Sequence, residues 1–235
     1  MIKFGNSNIG KLYLGSTEIA KVYLGDDLVF QKGGGSILPD GYTLMQYVEN
    51  SPGNSAYINT GVNPTTQTGF YIDAYSYDSL SGSSGYGCLF GSRVSSGHSD
   101  YQLSTYSGTY DGVTYAGLLR TGAHGSGSAH NAHLSVNTRI VVELSGNTYT
   151  VNGVSYSAPA YLVPEGKSIF LFALNQNGTI IQNGHLRVYS FSLVQNGNKV
   201  IDYIPCKNPN NVVGFYDLVS QSFIPPTSGT LYGAE

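Results

Sequence analysis

The chain has no tryptophan, two methionines and two cysteines, and only 11% of its 235 residues are charged, against about 25% in an ordinary soluble domain. Each shortage excludes something. The strong helix formers Ala, Glu, Lys, Arg and Met are scarce, which argues against a helical protein. Eleven basic residues face fourteen acidic ones, a net charge of -3. No basic stripe exists to neutralise phosphates, so nucleic acid is excluded as a partner. No apolar run approaches the roughly 20 residues that span a bilayer as a helix, so no membrane insertion is expected. The first residues, Met1 to Ser7, lack the apolar core of a signal peptide, so we expect a mature start near Met1 and synthesis in a cytoplasm. Cys88 and Cys206 are too few for a disulfide framework and read as buried thiols.

What is abundant points one way. Thirty-one glycines, twenty tyrosines and many β-branched residues describe strands joined by tight turns. The first thirty residues repeat: Ile9-Gly10-Lys11-Leu12-Tyr13-Leu14-Gly15 is followed by Ile19-Ala20-Lys21-Val22-Tyr23-Leu24-Gly25. Ile2-Lys3-Phe4-Gly5 is a looser copy, and Leu28-Val29-Phe30 closes the run. Each copy reads as one short strand ended by a glycine turn. Gly33-Gly34-Gly35 then forms a joint, so the expected organisation is a module at 1–31, a linker at 32–36 and a domain at 37–235.

Within that domain, Arg139 to Ser145 alternates as a strand, with Ile140, Val142 and Leu144 on one face. Asn152-Gly153 predicts a type I′ hairpin turn between Thr148–Val151 and Val154–Ser157. Ser168 to Leu174 reads as one apolar, central strand. His185 to Val194 alternates, and Asn196-Gly197 turns it into Lys199 to Ile204. Strands at this spacing predict an all-β sandwich or barrel without amphipathic helices. Tyr77 to Asn131 reads differently, as long Gly/Ser/Tyr-rich loops of the kind that carry function, with Cys88–Gly91 and Tyr115–Arg120 returning to the sheets.

Catalytic patterns are missing. There is no Glu-x-Asp-x-x-Glu strand, and Glu143 has no carboxylate neighbour along its own strand, so glycoside hydrolysis is only a distant alternative. Gly-x-Ser-x-Gly, His-Glu-x-x-His and the phosphate loop are also missing, and no enzyme is expected. His124, His130 and His133 cluster, but at no established zinc spacing, and read as solvated loop residues. Tyr101, Tyr106, Tyr110 and Tyr115 recur in a polar stretch with Arg93, His98, Asp100 and Asp111. Such rings stack on sugars while phenols and acids take up hydroxyls. The same tyrosines equally well cover sheet faces in a chain without tryptophan. No cofactor is expected. Calcium at Asp100, Asp111 or Asp217 has no acid-rich loop to support it.

Certain segments carry a resemblance. Leu38-Pro39-Asp40-Gly41-Tyr42, Gln46-Tyr47-Val48-Glu49 and Ala56 to Pro64 resemble the opening of concanavalin A-like, laminin-G-type domains in tail-fibre and virion-surface proteins of phages of gut bacteria. Gly184 to Phe191, Tyr203 to Asn208 and Val213 to Val219 are similar to their closing segments, although Asn59 stands where that family would have Asp. The Lys-x-Tyr-Leu-Gly repeat is similar to N-terminal segments of such proteins. The resemblance implies a jelly-roll sandwich binding a host-surface glycan or protein without catalysis. It also implies a virion structural protein, a fibre or a head or tail decoration, displayed on the virion surface. A bacterial surface lectin or adhesin is the alternative. A module of about thirty residues cannot bury enough surface to fold alone. Its apolar positions, Ile9, Leu12, Leu14, Ile19, Val22 and Leu24, are therefore expected to anchor the chain to other virion proteins or in a homo-oligomer, for which a trimer is our expectation.

Overall fold

The structure is a computed structural model. It describes residues 37–51, 55–77, 86–94, 100–110, 113–121, 132–133, 137–157 and 166–235, together with the strands within residues 1–36 named below. Two compact units result, Met1–Tyr42 and Thr43–Glu235.

In the first unit, β1 (Lys3–Phe4) pairs with β2 (Ser7–Asn8), β3 (Tyr13–Leu14) with β4 (Thr17–Glu18), and β5 (Lys21–Leu24) with β6 (Asp27–Gln31), all antiparallel. The repeat therefore divides differently from the reading above. Gly5-Asn6, Gly15-Ser16 and Gly25-Asp26 stand between two paired strands rather than after one. Glycine followed by a short polar residue is what a two-residue hairpin connection selects. Of the anchor positions, Leu14, Val22 and Leu24 fall on these strands. Ile9, Leu12 and Ile19 lie outside the described residues.

The second unit is all strand, with no helix among the described residues. Its elements are β7 (Thr43–Leu44), β8 (Tyr47–Glu49), β9 (Ile58–Asn59), β10 (Thr68–Ser76), β11 (Tyr86–Arg93), β12 (Asp100–Tyr110) and β13 (Val113–Thr121). There follow β14 (Ala132–His133), β15 (Thr138–Ser145), β16 (Thr148–Val151), β17 (Val154–Ser157), β18 (Phe170–Leu171), β19 (Ala173–Gln176) and β20 (Thr179–Asn183). The chain closes with β21 (Leu186–Gln195), β22 (Asn198–Lys207), β23 (Val213–Asp217), β24 (Ser222–Ile224) and β25 (Tyr232–Ala234). The larger sheet runs β17-β16-β15-β10-β21-β22-β23-β24, with β8 also beside β21, β25 beside β8, and β7 beside β22. The smaller runs β14-β13-β12-β11-β18-β9, with β19 between β11 and β20. Packed face to face, the two sheets make the jelly-roll sandwich of a concanavalin A-like fold.

Between them lies a core in which phenylalanine and tyrosine do the filling. Phe70 meets Phe90 edge-on at 4.8 Å, Phe90 meets Phe191 at 5.2 Å, and Tyr203 stacks on Phe215 at 5.7 Å. Burying each such ring contributes about 1.5–3 kcal/mol. Alternation explains which face turns inward: Ile140, Val142 and Leu144 of β15 are buried against Phe70, Ile72 and Ala74 of β10 in direct register. Asn152 and Gly153 take φ of 48° and 82°, the double positive φ of a type I′ turn, and β16 pairs with β17 across them.

Two expectations are corrected. Ser168 to Leu174 is two strands. Phe172 takes φ 72° and reverses the chain, so β18 is antiparallel to β11 while β19 is parallel to it. A bulky residue in that region is strained; full burial of its ring and the bond from Phe172 N to the Leu89 carbonyl (2.7 Å) hold it there. Tyr77 to Asn131 is likewise not mainly irregular. It contains β11, β12 and β13, long strands of the smaller sheet. Gly, Ser and Tyr on both faces hid the alternation by which Tyr101 and Leu103 turn inward.

Candidate functional site

Arg93, Asp100, Tyr101, Tyr106, Tyr110 and Tyr115 lie on strands of the smaller sheet. Arg93 is in register with Asp100, Tyr86 with Tyr106, and Tyr110 with Val113; Tyr115 is opposite Gly108. The Arg93 guanidinium donates through Nε to Gln176 Oε1 at 2.8 Å, tying β11 to β19. Tyr101 is not on a binding surface: it is 3% exposed in the core, and its hydroxyl donates to the Thr68 carbonyl at 3.1 Å. It takes the sheet-covering role that the sequence left open. Gln102 Oε1, Ser104 Oγ and Ser92 Oγ on the same strand pair are buried without a hydrogen-bond partner among the described residues. His98, Asp111, His124 and His130 lie outside the described residues, and His133 is on β14.

Asp217 is a structural residue. Its carboxylate accepts from the backbone of Asp202, Val219 and Ser220 and from the Ser220 hydroxyl, at 2.6–3.2 Å. Among the described residues, no group of three or more His, Cys, Asp and Glu is placed to hold a metal.

The larger sheet carries a surface that sequence reasoning missed. One cross-strand row on its outer face reads Tyr232, Glu49, Arg187, Tyr75, Arg139, from β25 through β8, β21 and β10 to β15. The row exists because the alternate residues Val48, Ala74, Ile140 and Val188 turn inward and are buried. A register shift where Asp73 faces Ser190 and Ala74 faces Val188 leaves Tyr189 as the bulged residue beside it.

The side chains of this face hold one another. Glu49 accepts from Arg187 Nε at 2.5 Å and from the Tyr77 hydroxyl at 3.3 Å, and lies 3.1 Å from His185 Nε2. The Arg187 guanidinium sits 4.4 Å from the Tyr47 ring centre and 5.3 Å from that of Tyr77. Tyr77 in turn stacks on His185 at 4.1 Å. Next to them, Arg139 grips Asp73 through Nε and Nη2 at 2.7 and 2.6 Å and lies 4.2 Å from the Tyr189 ring centre. The bond to Glu49 raises the Arg187 pKa further above its ordinary value. Burial, with the Glu49 charge second, pushes the Tyr77 phenol up.

Two guanidiniums held over tyrosine rings, each paired with a carboxylate, give a surface with fixed donors whose arginine charges are neutralised. Tyr75 and Tyr232 stand at positions four and one of the row, three strand spacings or about 14 Å apart. Tyr232 is 52% exposed and the Arg139 side chain 57%. The signal in the sequence was the i, i+2 pairs Tyr47/Glu49, Tyr75/Tyr77 and Arg187/Tyr189. Nothing local brings those pairs together.

No family model matches the chain, and no curated protein matches it. Among solved structures, it is similar to a proposed carbohydrate-binding protein from Bacteroides ovatus ATCC 8483, with a TM-score of 0.51 at 10% identity. The match covers 82% of this chain and 61% of the other, so this chain spans about three-fifths of that protein's length. The likeness is one of fold.

Proposed function

We propose that the chain is a phage virion structural protein, a fibre or decoration on head or tail. Its sandwich binds an uncharged host-surface oligosaccharide, and its residues 1–31 attach it to other virion proteins or to further copies of itself. In this reading it acts without catalysis, at the virion surface. The observation that carries the glycan reading is the five-strand row. A linear oligosaccharide lying across it would stack on Tyr232 and Tyr75 and take hydrogen bonds from Arg187 and Arg139. A neutral polyol suits a surface whose charges are already paired, whereas an ionic ligand would have to displace a carboxylate. The Bacteroides ovatus protein of similar fold lends support, as does the resemblance to virion-surface domains. The strip from Arg93 to Tyr115 is the second location, favoured by its recurring tyrosines beside Arg93 and Asp100.

Glycan-array binding of the full chain tests this. Tyr232→Ala, at an exposed position, is expected to lower affinity at least tenfold while leaving the melting temperature nearly unchanged. Undiminished binding would move the site to the smaller sheet. No binding by the unaltered chain would remove the glycan reading. Locating the chain in a particle by cryo-electron microscopy tests the virion role.

A further inference from the structure

We infer that residues 1–31 are a three-rung assembly device, in which each ten-residue period is an interchangeable unit closed by the equivalent hairpins of further copies of this chain. The inference rests on the anchoring role proposed above and says how it is built.

The observation is one of register. The closing pairs Phe4 with Ser7, Leu14 with Thr17 and Leu24 with Asp27 recur every ten residues. So do the next pairs, Lys3 with Asn8, Tyr13 with Glu18 and Tyr23 with Leu28. What repeats is thus a paired hairpin and not merely a phrase of sequence. The third hairpin continues, through a shift at Val22/Tyr23, to Lys21 with Gln31.

Among the described strands, the three hairpins are three separate two-stranded sheets. An isolated two-stranded hairpin is marginal in water, and each one has two outer strand edges whose backbone groups call for partners. Residues 1–31 contain no cysteine or histidine that could staple them. Three edges with identical register at a ten-residue interval are matched, at the same spacing, by the same three rungs of another copy. Charge permits it: Lys3, Lys11 and Lys21 balance Glu18, Asp26 and Asp27, so copies brought together do not repel. A virion partner of different sequence would have to carry the same period.

Light scattering across a dilution series tests the inference with three deletions. Removing residues 11–20 takes out one whole period and joins Gly10 to Lys21, the repeat equivalent of Lys11. Removing 11–15 takes out half a period, with β3 and Gly15. Removing 1–31 takes out every rung and leaves the second unit with its own core. The full chain and the 11–20 deletion are expected to form the same oligomer, the latter dissociating at a concentration at least tenfold higher. The 11–15 and 1–31 deletions are expected to be monomeric. If the 11–20 deletion is as dissociated as the 11–15 deletion, the rungs are not interchangeable and the inference fails, while the anchor stands. If the 1–31 deletion keeps the oligomer of the full chain, the anchoring role itself fails. A monomeric full chain would overturn the second copy as the occupant.

Discussion

Asn50 follows Glu49 at the end of β8 and is almost wholly buried. Its amide donates to the Gly184 carbonyl at 2.6 Å and its Oδ1 accepts from Leu186 N at 3.0 Å. One side chain thus joins β8 to the start of β21 and holds Glu49 beside Arg187. Asn50→Leu keeps the branched shape and removes both bonds, stranding a buried carbonyl and a buried N–H. At about 1–3 kcal/mol for each stranded group, less the relief of no longer burying the amide, we expect a loss of about 3 kcal/mol. For a domain of this size that lowers the melting temperature by about 6–12 °C. Asn50→Asp adds a signature that packing alone would not give. The carboxylate still accepts from Leu186 N but faces the Gly184 carbonyl as an unpaired buried charge, so its folded-state pKa rises. Its protonated form donates to that carbonyl and restores stability. The deficit is therefore small near pH 3, below the usual Asp value of about 3.9, and grows as pH rises toward 7. Urea or thermal denaturation at both pH values measures this. A Leu variant within about 1 kcal/mol of the parent, or an Asp variant whose deficit ignores pH, would refute the reasoning.

Gly153 has open space where a Cβ would point, so its constraint is φ alone. Gly153→Asn should be nearly neutral and Gly153→Val should cost about 2 kcal/mol, read as separated melting temperatures; equal melts would mean that the turn is not type I′. Cys88 and Cys206 are both buried thiols, and burial pushes the Cys206 thiol up to about 12. A thiol reagent at pH 8 should therefore label neither until the protein is denatured, and rapid labelling in buffer would contradict their burial. Burial first, and then the Asp217 charge, raise the Tyr203 phenol above its ordinary value. A raised folded pKa gives stability that is complete below about pH 10 and lost as pH climbs toward the folded value. Tyr203→Phe should accordingly shift the alkaline unfolding midpoint upward, and an unchanged midpoint would show that this phenol takes no part.

The hairpins were legible because their signals are local. Asn152-Gly153 and Asn196-Gly197 announce turns whatever surrounds them, and β15 displays Ile140, Val142 and Leu144 at strand spacing. Phe172 was illegible because nothing local marks a phenylalanine as a chain reversal; contacts from β11 impose it. Within β21, the bulge at Tyr189 switches the phase, so Leu186 and Val188 share the core with Phe191 and Leu193, a change that strict alternation cannot anticipate. The outer row was hidden by distance. Glu49 and Arg187 are 138 residues apart, and Asp73 and Arg139 are 66 apart; long-range register brings them together. Tyr101 shows the opposite error, since an aromatic in a polar stretch reads as a ligand platform until its neighbours bury it.

The placement of β7 and β8 also decides how the sandwich meets traction. A pull on Thr43 along the strand axis first loads β7, which holds β22 through only the pairs at Thr43 and Leu44. Its detachment gives up a few residues, about 10 Å of slack. The next strand, β8, lies between β21 and β25 and is riveted by Asn50, so its bonds lie across the pull and must yield together rather than one at a time. Fluid drag on a tethered chain would be met by a short give followed by a stiff stop. Stretched in an optical trap, such a domain would show a small early extension well before the force that unfolds it.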